Sequence, residues 1–286
     1  MGVLLSRRHL NPVAMSNAAA VPDFPASPGK PRIHDPLIVV KFGGAALGTL
    51  ARVRAAALRV RELRAAGYRV AVIASARGNT TDRLLRDVGG VAGLPDGLSG
   101  REVDRALATG EALATALLAS ALIAAGVPAA SICAASAVLL ADGPYGAGVL
   151  RELRPGRVAQ LLARGDVPVV PGFQAVRDDG ELVTLGRGSS DVTAVFLAAA
   201  LGAHECHLVK DVDGIYAQDP MVVPGAFRFD DLSFDGLVTL TAGGAKVVHS
   251  EAALRARSDA VPLRVYRHDA PVARPRGTRV GEGAGR

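Results

Sequence analysis

Only four of the 33 basic residues in this chain are lysines: Lys30, Lys41, Lys210 and Lys246. Arginine serves wherever a generic cation suffices, so a retained lysine asks for a chemical reason. An ammonium is a compact point charge that suits a phosphate oxygen in a tight site. Lys41-Phe42-Gly43-Gly44 closes an apolar run. Its paired glycines let backbone N–H groups approach an anion that the lysine also reaches. No Gly-x4-Gly-Lys-Ser/Thr loop occurs, so this is not a P-loop. Gly186-Arg187-Gly188-Ser189-Ser190-Asp191 precedes a helical pattern. Ser190 or Asp191 can cap that helix, and Arg187 between glycines is a bidentate binder of carboxylate or phosphate. Lys210-Asp211-Val212-Asp213-Gly214-Ile215-Tyr216 follows another apolar run, with Asp219-Pro220 soon after. Acidic groups at the C-terminal edge of a strand face a ligand in an α/β sheet. The further oxygen ligands and twelfth-position Glu of an EF-hand are missing. Gly243-Gly244-Ala245-Lys246 reads as a helix start. A cation in that first turn opposes the helix dipole unless an anion binds there.

The elements that must position these residues alternate along the chain. Continuous apolar runs predict buried strands at 36–42, 68–74, 167–170, 205–209 and 261–266, and an extended segment at 131–140. Helices are predicted at 50–66, 80–87, 101–125, 155–164, 191–201 and 243–256. Asp178-Asp179-Gly180 predicts a hairpin over 177–184, because Asp-Gly supplies the positive φ of its turn. Buried strands alternating with helices indicate an α/β fold with a largely parallel sheet covered on both faces.

The chain has 286 residues, 49% hydrophobic and 21% charged, a balance that argues against wholesale disorder. Its net charge of +6 comes from the ends, since residues 36–253 carry 21 bases and 22 acids. The bases are dispersed and aromatics are only 4% with no Trp, so no base-stacking platform is expected and no nucleic-acid partner. The uncharged stretch 112–141 is broken by Gly126-Val127-Pro128. Its helical part is shorter than the ~20 residues a bilayer needs, so no membrane association is expected. Arg7, Arg8 and His9 interrupt the first apolar run too early for a secretory signal. Two cysteines, Cys133 and Cys206, without CxxC spacing fit a reducing compartment, and the cytoplasm is the expected location. Residues 1–35 and 273–286 read as tails, the first of them mobile, around a domain at 36–272.

With these four motifs in order, the sequence resembles the amino-acid kinase family and, within it, the catalytic domain of aspartate kinases. The resemblance covers residues 37–280. It adds Ser75-Ala76-Arg77-Gly78-Asn79-Thr80-Thr81-Asp82, Thr109-Gly110-Glu111, Pro171-Gly172-Phe173-Gln174, the Gly244–His249 run GAKVVH and the closing Gly277-Thr278. It implies a three-layer αβα sandwich with an open, mainly parallel central sheet. Residues 36–204 would bind the phosphoryl acceptor and 205–272 the nucleotide. The implied activity is transfer of the γ-phosphoryl group of ATP to a carboxylate, giving an acyl phosphate. By motif position, Lys41 would stabilise the transferring group and Asp191 would orient the lysines. Gly43 and Gly44 would contact phosphates through their amides. Glu111 would pair with the acceptor ammonium and Arg187 with its α-carboxylate, with Ser75, Thr81 and Ser190 around the acceptor. Lys210, Asp211, Tyr216 and Lys246 would hold the nucleotide and its phosphates. Mg²⁺ would ride on the nucleotide, with no dedicated protein metal site, and a homodimer is expected.

The sequence also departs from the family pattern. Ala45 and Ala46 stand where aspartate kinases usually carry Thr-Ser, Ser189 where they carry Gly, Lys210 where they carry Thr, and Met221 where they carry Arg. The acidic residues expected in segment 233–241 are largely missing. The sequence stops where the catalytic domain stops, without regulatory ACT domains, so feedback inhibition by that route is not expected. Aspartate or a close amino-acid analogue is the expected acceptor. Another carboxylate, a phosphate acceptor suggested by Lys210, or a non-catalytic nucleotide- or oxyanion-binding role remain open alternatives.

Overall fold

A computed structural model describes residues 35–92, 100–137, 139–272 and 275–282. The first elements are β1 (Leu37–Phe42), α1 (Leu50–Ala65), β2 (Arg69–Ala74), α2 (Thr80–Ala92) and α3 (Arg101–Ala124). There follow β3 (Ala129–Ser131), α4 (Ala134–Ala137), β4 (Leu139–Asp142), β5 (Val149–Leu153), α5 (Gly156–Ala163) and β6 (Val167–Pro171). Next come β7 (Gln174–Val176), β8 (Leu182–Thr184), α6 (Ser190–Leu201), β9 (Glu205–Lys210), β10 (Ile215–Tyr216) and β11 (Arg228–Phe229). The chain closes with β12 (Asp231–Leu232), α7 (Phe234–Ala242), α8 (Ser250–Ser258), β13 (Leu263–Arg267) and β14 (Gly277–Val280).

Eight strands form the central sheet in the order β12-β14-β13-β9-β1-β2-β6-β3. Pairing is parallel from β13 to β3, and β14 runs antiparallel to β13. This is the expected mainly parallel sheet of a three-layer α/β sandwich, and it runs unbroken through both 36–204 and 205–272. A second sheet, β5-β4-β7-β8, carries the expected hairpin.

Strand alternation decides where the site lies. Ile38, Val40 and Phe42 join one apolar cluster with residues of α1 and α3. Leu37 and Val39 join the other, with residues of α6 and α8. Side chains two apart share a face, so Lys41 points toward α6. On β9, Cys206 and Leu208 belong to the α6 side, and Lys210 follows in the same parity. Lys41, next to last in β1, and Lys210, last in β9, therefore lie on the face where Asp191 opens α6.

Several expectations are corrected. Segment 131–140 is not one extended run: β3 stops at Ser131, α4 intervenes and β4 belongs to the second sheet. An alanine-rich apolar run satisfies helix and strand patterns alike. Segment 243–256 is not one helix either. Gly243 ends α7, Gly244 takes a φ of +97°, and α8 begins at Ser250 behind His249, whose ring nitrogen accepts from the Glu251 amide. Helix α7 itself, capped by Ser233 through the Gly236 amide, lies in a segment that the apolar pattern left without an element. The tail expected at 273–286 contains β14, and Thr278 in it is fully buried, donating to the Phe229 carbonyl at 2.5 Å. The mobile tail expected before residue 36 lies outside the described residues except for Asp35. Among the described residues α3 is the one helix long and apolar enough to cross a membrane. It packs against α1, α2 and the central sheet and buries Asp104 and Glu111.

Candidate active site

The C-terminal ends of β1, β2, β6 and β9 converge, as expected for a ligand crevice in a parallel sheet. At the centre is Asp191. Its Oδ1 lies 2.7 Å from Lys41 Nζ, and its Oδ2 lies 2.6 Å from Lys210 Nζ. The His249 amide also donates to Oδ2 at 3.3 Å. Burial works to raise the Asp191 pKa, but the two lysines overcome it and hold the carboxyl well below the usual range. Burial lowers Lys210 to about 8, against the pull of Asp191. One carboxylate faces two ammoniums, so the cluster carries excess positive charge out of water. Such a charge is costly without an anion and well placed to receive one.

The caps expected of Ser190 and Asp191 are not formed. Helix α6 starts one residue earlier, with Ser189 at its N-cap position and no side-chain cap. Ser189 turns inward and donates to the Gly186 carbonyl at 2.7 Å, so its extra bulk is absorbed by the loop. Asp191 is thereby left for the lysines.

The glycine turn after β1 is also corrected in part. The Gly43 amide donates to the Val209 carbonyl at 3.2 Å, continuing the pairing of β1 with β9, so it is engaged in the sheet rather than offered to a phosphate. Gly44 opens the following turn, and its carbonyl accepts from the Gly78 amide at 2.9 Å. A Cβ at Gly44 would stand 2.7 Å from the Ala76 carbonyl oxygen, so only glycine admits this approach.

Ser75, Thr81, Glu111, Arg187 and Ser190 line one cavity of about 230 Å³ together with Lys41 and Gly44. Glu111 is buried on α3. Its Oε1 accepts from the Ala76 amide at 3.0 Å, and its Oε2 is buried without a hydrogen-bond partner. Burial pushes this carboxyl up to about 7, against the Ala76 hydrogen bond. A buried acceptor left unpaired is an open demand for a donor. The wall is tight: a Cβ at Gly110 would meet Ala76 Cβ at 3.0 Å, and one at Gly172 would meet Ser190 Cβ at 2.6 Å. Phe173 holds a φ of +66°, a strained value for an aromatic residue beside a cavity it lines. Arg187 donates to Asp82 Oδ1 at 2.7 Å.

Lys210, Asp211, Tyr216 and Lys246 line a second, larger cavity of about 850 Å³. The Tyr216 hydroxyl donates to Asp213 Oδ1 at 2.5 Å. Lys246 is exposed in the loop beyond α7, not in a first helical turn. The helix dipole therefore favours Lys246, because a cation near a helix C-terminus is stabilised. Met221 lies outside this lining and is almost fully exposed. Apart from Gly43, the structure thus gathers the sequence-derived residues at two cavities, with Lys41 on one, Lys210 on the other and Asp191 joining them. The His249 amide and Asp82 both lie in the sequence motifs, but nothing in their residue types marks them as site groups. Among the described residues, no group of three or more His, Cys, Asp or Glu side chains could hold a metal ion.

A model of the amino acid kinase family matches residues 36–267. An aspartokinase of Thermus thermophilus is 39% identical over 229 residues, 80% of this chain and 56% of that protein. The chain spans about half the length of the curated relatives it matches. The crystal structure of aspartate kinase from Synechocystis superposes with a TM-score of 0.74 at 37% identity, over 86% of this chain and 40% of that one. That of E. coli aspartokinase III in complex with aspartate and ADP gives 0.75 at 26% identity, over 86% and 64%.

Proposed function

The chain belongs to the amino acid kinase family, and from that premise we propose that it transfers the γ-phosphoryl group of ATP to the side-chain carboxylate of aspartate or a close analogue. The observation that carries this reading is the smaller cavity. It has a buried, unpartnered carboxylate oxygen on Glu111, a guanidinium on Arg187 and the Lys41 ammonium. An α-amino acid with a second carboxylate has a group for each of the three.

In the proposed reaction the acceptor ammonium donates to Glu111 and its α-carboxylate accepts from Arg187. Ser75, Thr81 and Ser190 supply hydroxyls around the acceptor. The side-chain carboxylate is left free to attack. Its oxygen forms a bond to the γ-phosphorus while the bond to the bridging β-phosphate oxygen breaks. ADP leaves with that electron pair, and no proton moves because the attacking carboxylate is ionised. Charge spreads over the equatorial phosphoryl oxygens, so catalysis is mostly positioning and electrostatic stabilisation. Lys41 meets that charge from the acceptor side, Lys210 from the nucleotide side, and Asp191 fixes both ammoniums. The Gly44 amide would approach a phosphate oxygen. Asp211, Tyr216 and Lys246 would hold the nucleotide in the larger cavity. Mg²⁺ bound to the phosphates would neutralise charge there, and Asp211 and Asp219 are the lining carboxylates that fit its water ligands. Residues 36–204 would thus form the acceptor part and 205–272 the nucleotide part. A homodimer in the cytoplasm belongs to the same reading, supported by the family likeness and by two free cysteines.

The test is ADP release with Mg-ATP across aspartate, glutamate, N-acetylglutamate, a hydroxy-acid analogue, carbamate and UMP, with hydroxylamine to trap acyl phosphate as hydroxamate. Turnover with aspartate and hydroxamate formation are expected. ATP binding without turnover of any acceptor would contradict the reading. The excess positive charge that Lys210 adds favours one second reading, a phosphorylated acceptor. Turnover of UMP rather than aspartate would select it.

A further inference from the structure

We infer that Asp82 is a positioning residue for acceptor binding, holding the Arg187 guanidinium over the smaller cavity before the acceptor arrives. The inference rests on the proposed function of that cavity. Asp82 stands in the first turn of α2, and Arg187 is 105 residues away in the loop before α6. Their 2.7 Å contact joins the two elements across a cavity that both residues line. Arg187 has little else to brace it. It is 69% exposed, and its neighbours Gly186 and Gly188 have φ of +82° and +87° and no side chains to pack on it. Among the described residues, Asp82 is the one acid within ion-pair distance of it.

An unbraced arginine loses much rotamer freedom when it binds. Asp82 removes part of that cost in advance, as preorganisation does generally. It does so without competing for the acceptor. A guanidinium has five N–H donors, the contact with Asp82 uses Nη2, and the rest remain for a carboxylate. The pair is solvent-exposed, so its effect is moderate and is screened by salt.

The test uses wild type, Asp82→Asn, Asp82→Glu, Arg187→Ala and the double variant Asp82→Asn/Arg187→Ala. ADP release gives KM for aspartate, KM for ATP and kcat. Calorimetric titration with aspartate gives affinity without turnover. Asp82→Asn is expected to raise the aspartate KM and Kd about two- to fivefold at low salt, with kcat and the ATP KM unchanged. Asp82→Glu should restore most of the affinity. In the Arg187→Ala background the Asp82 change should add nothing, because the coupling runs through Arg187. High salt should erase the difference. An unchanged or lower aspartate KM in Asp82→Asn, or the same loss without Arg187, overturns the inference while leaving the proposed reaction intact. Coupled aspartate binding without turnover upholds the inference and overturns the reaction. No aspartate binding by wild type overturns both.

Discussion

The inner wall of the smaller cavity is made of close backbone approaches and buried groups, with Arg187 and Asp82 exposed at its rim, whereas the larger cavity, beyond Lys210, is lined mainly by loops and exposed side chains. On the first, Gly44 in the lining and Gly110 and Gly172 behind it stand where a Cβ would press on Ala76 or Ser190, and Glu111 is buried with one oxygen unpaired. On the second, Lys246, Asp211 and Gln218 are exposed, and Gly243 and Gly244 have no such contacts with side chains or with distant backbone. A small zwitterion is recognised by a few groups that must each be in place. A polyphosphate is held by charge that tolerates displacement. Under the proposed reaction, specificity would rest on the smaller cavity and bulk affinity on the larger, and Asp191 ties the lysine of one to the lysine of the other.

The largest effect should come where the cavities meet. Lys41→Ala is expected to lower kcat about 100- to 1,000-fold, with a much smaller change in either KM, as steady-state kinetics would record. Equal kcat would remove Lys41 from the chemistry. Next is Glu111→Gln, which should raise the aspartate KM about ten- to a hundredfold and leave the ATP KM alone. A rise in the ATP KM instead would break the division between cavities. Gly172→Ala should destabilise the fold by about 1–3 kcal/mol because its Cβ would press on Ser190, which a denaturant titration would measure. The smallest effect belongs to the larger cavity: Lys246→Ala should raise the ATP KM only about two- to fivefold, since this lysine is exposed.

The pH dependence sharpens the same division. Glu111 is raised from its ordinary 4.5 to about 7 by burial, so acceptor affinity should fall as pH drops below about 7 and the carboxyl protonates. The linkage sign for folding is opposite. The free folded protein binds this proton more tightly than the unfolded chain does. Its stability should therefore decline as pH rises from about 4.5 to about 7, and Glu111→Gln should remove that slope. Burial brings Lys210 of the free protein to about 8, so kcat/KM for ATP should fall as pH rises through that value. Profiles of kcat/KM for ATP and of kcat/KM for aspartate, measured separately, would separate the two limbs.

Much of this arrangement is written locally. Apolar runs mark the strands, and the alternation Leu37, Val39, Lys41 and Cys206, Leu208, Lys210 already puts both lysines on one sheet face. Motif residues far apart in sequence, from Lys41 to Ser190, line the smaller cavity together. What local pattern does not carry is the use of each backbone group. Gly43 reads like Gly44, yet its amide is taken by the Val209 carbonyl, because hydrogen bonding to β9 continues one residue past the end of β1. Gly243-Gly244 reads as a helix start but is a helix end, since the decisive feature is the apolar face of α7 upstream. The amide on Asp191 comes from His249 by backbone position, which no side chain signals. The Asp82–Arg187 pair joins residues 105 apart and has no local trace.

The most direct test of the account compares aspartate with succinate, which lacks the ammonium, by kcat/KM in wild type and in Glu111→Gln. Wild type should strongly prefer aspartate, and Glu111→Gln should lose most of that preference by losing aspartate turnover. An equal preference in both proteins would contradict it, because Glu111 would then not be the group that reads the ammonium.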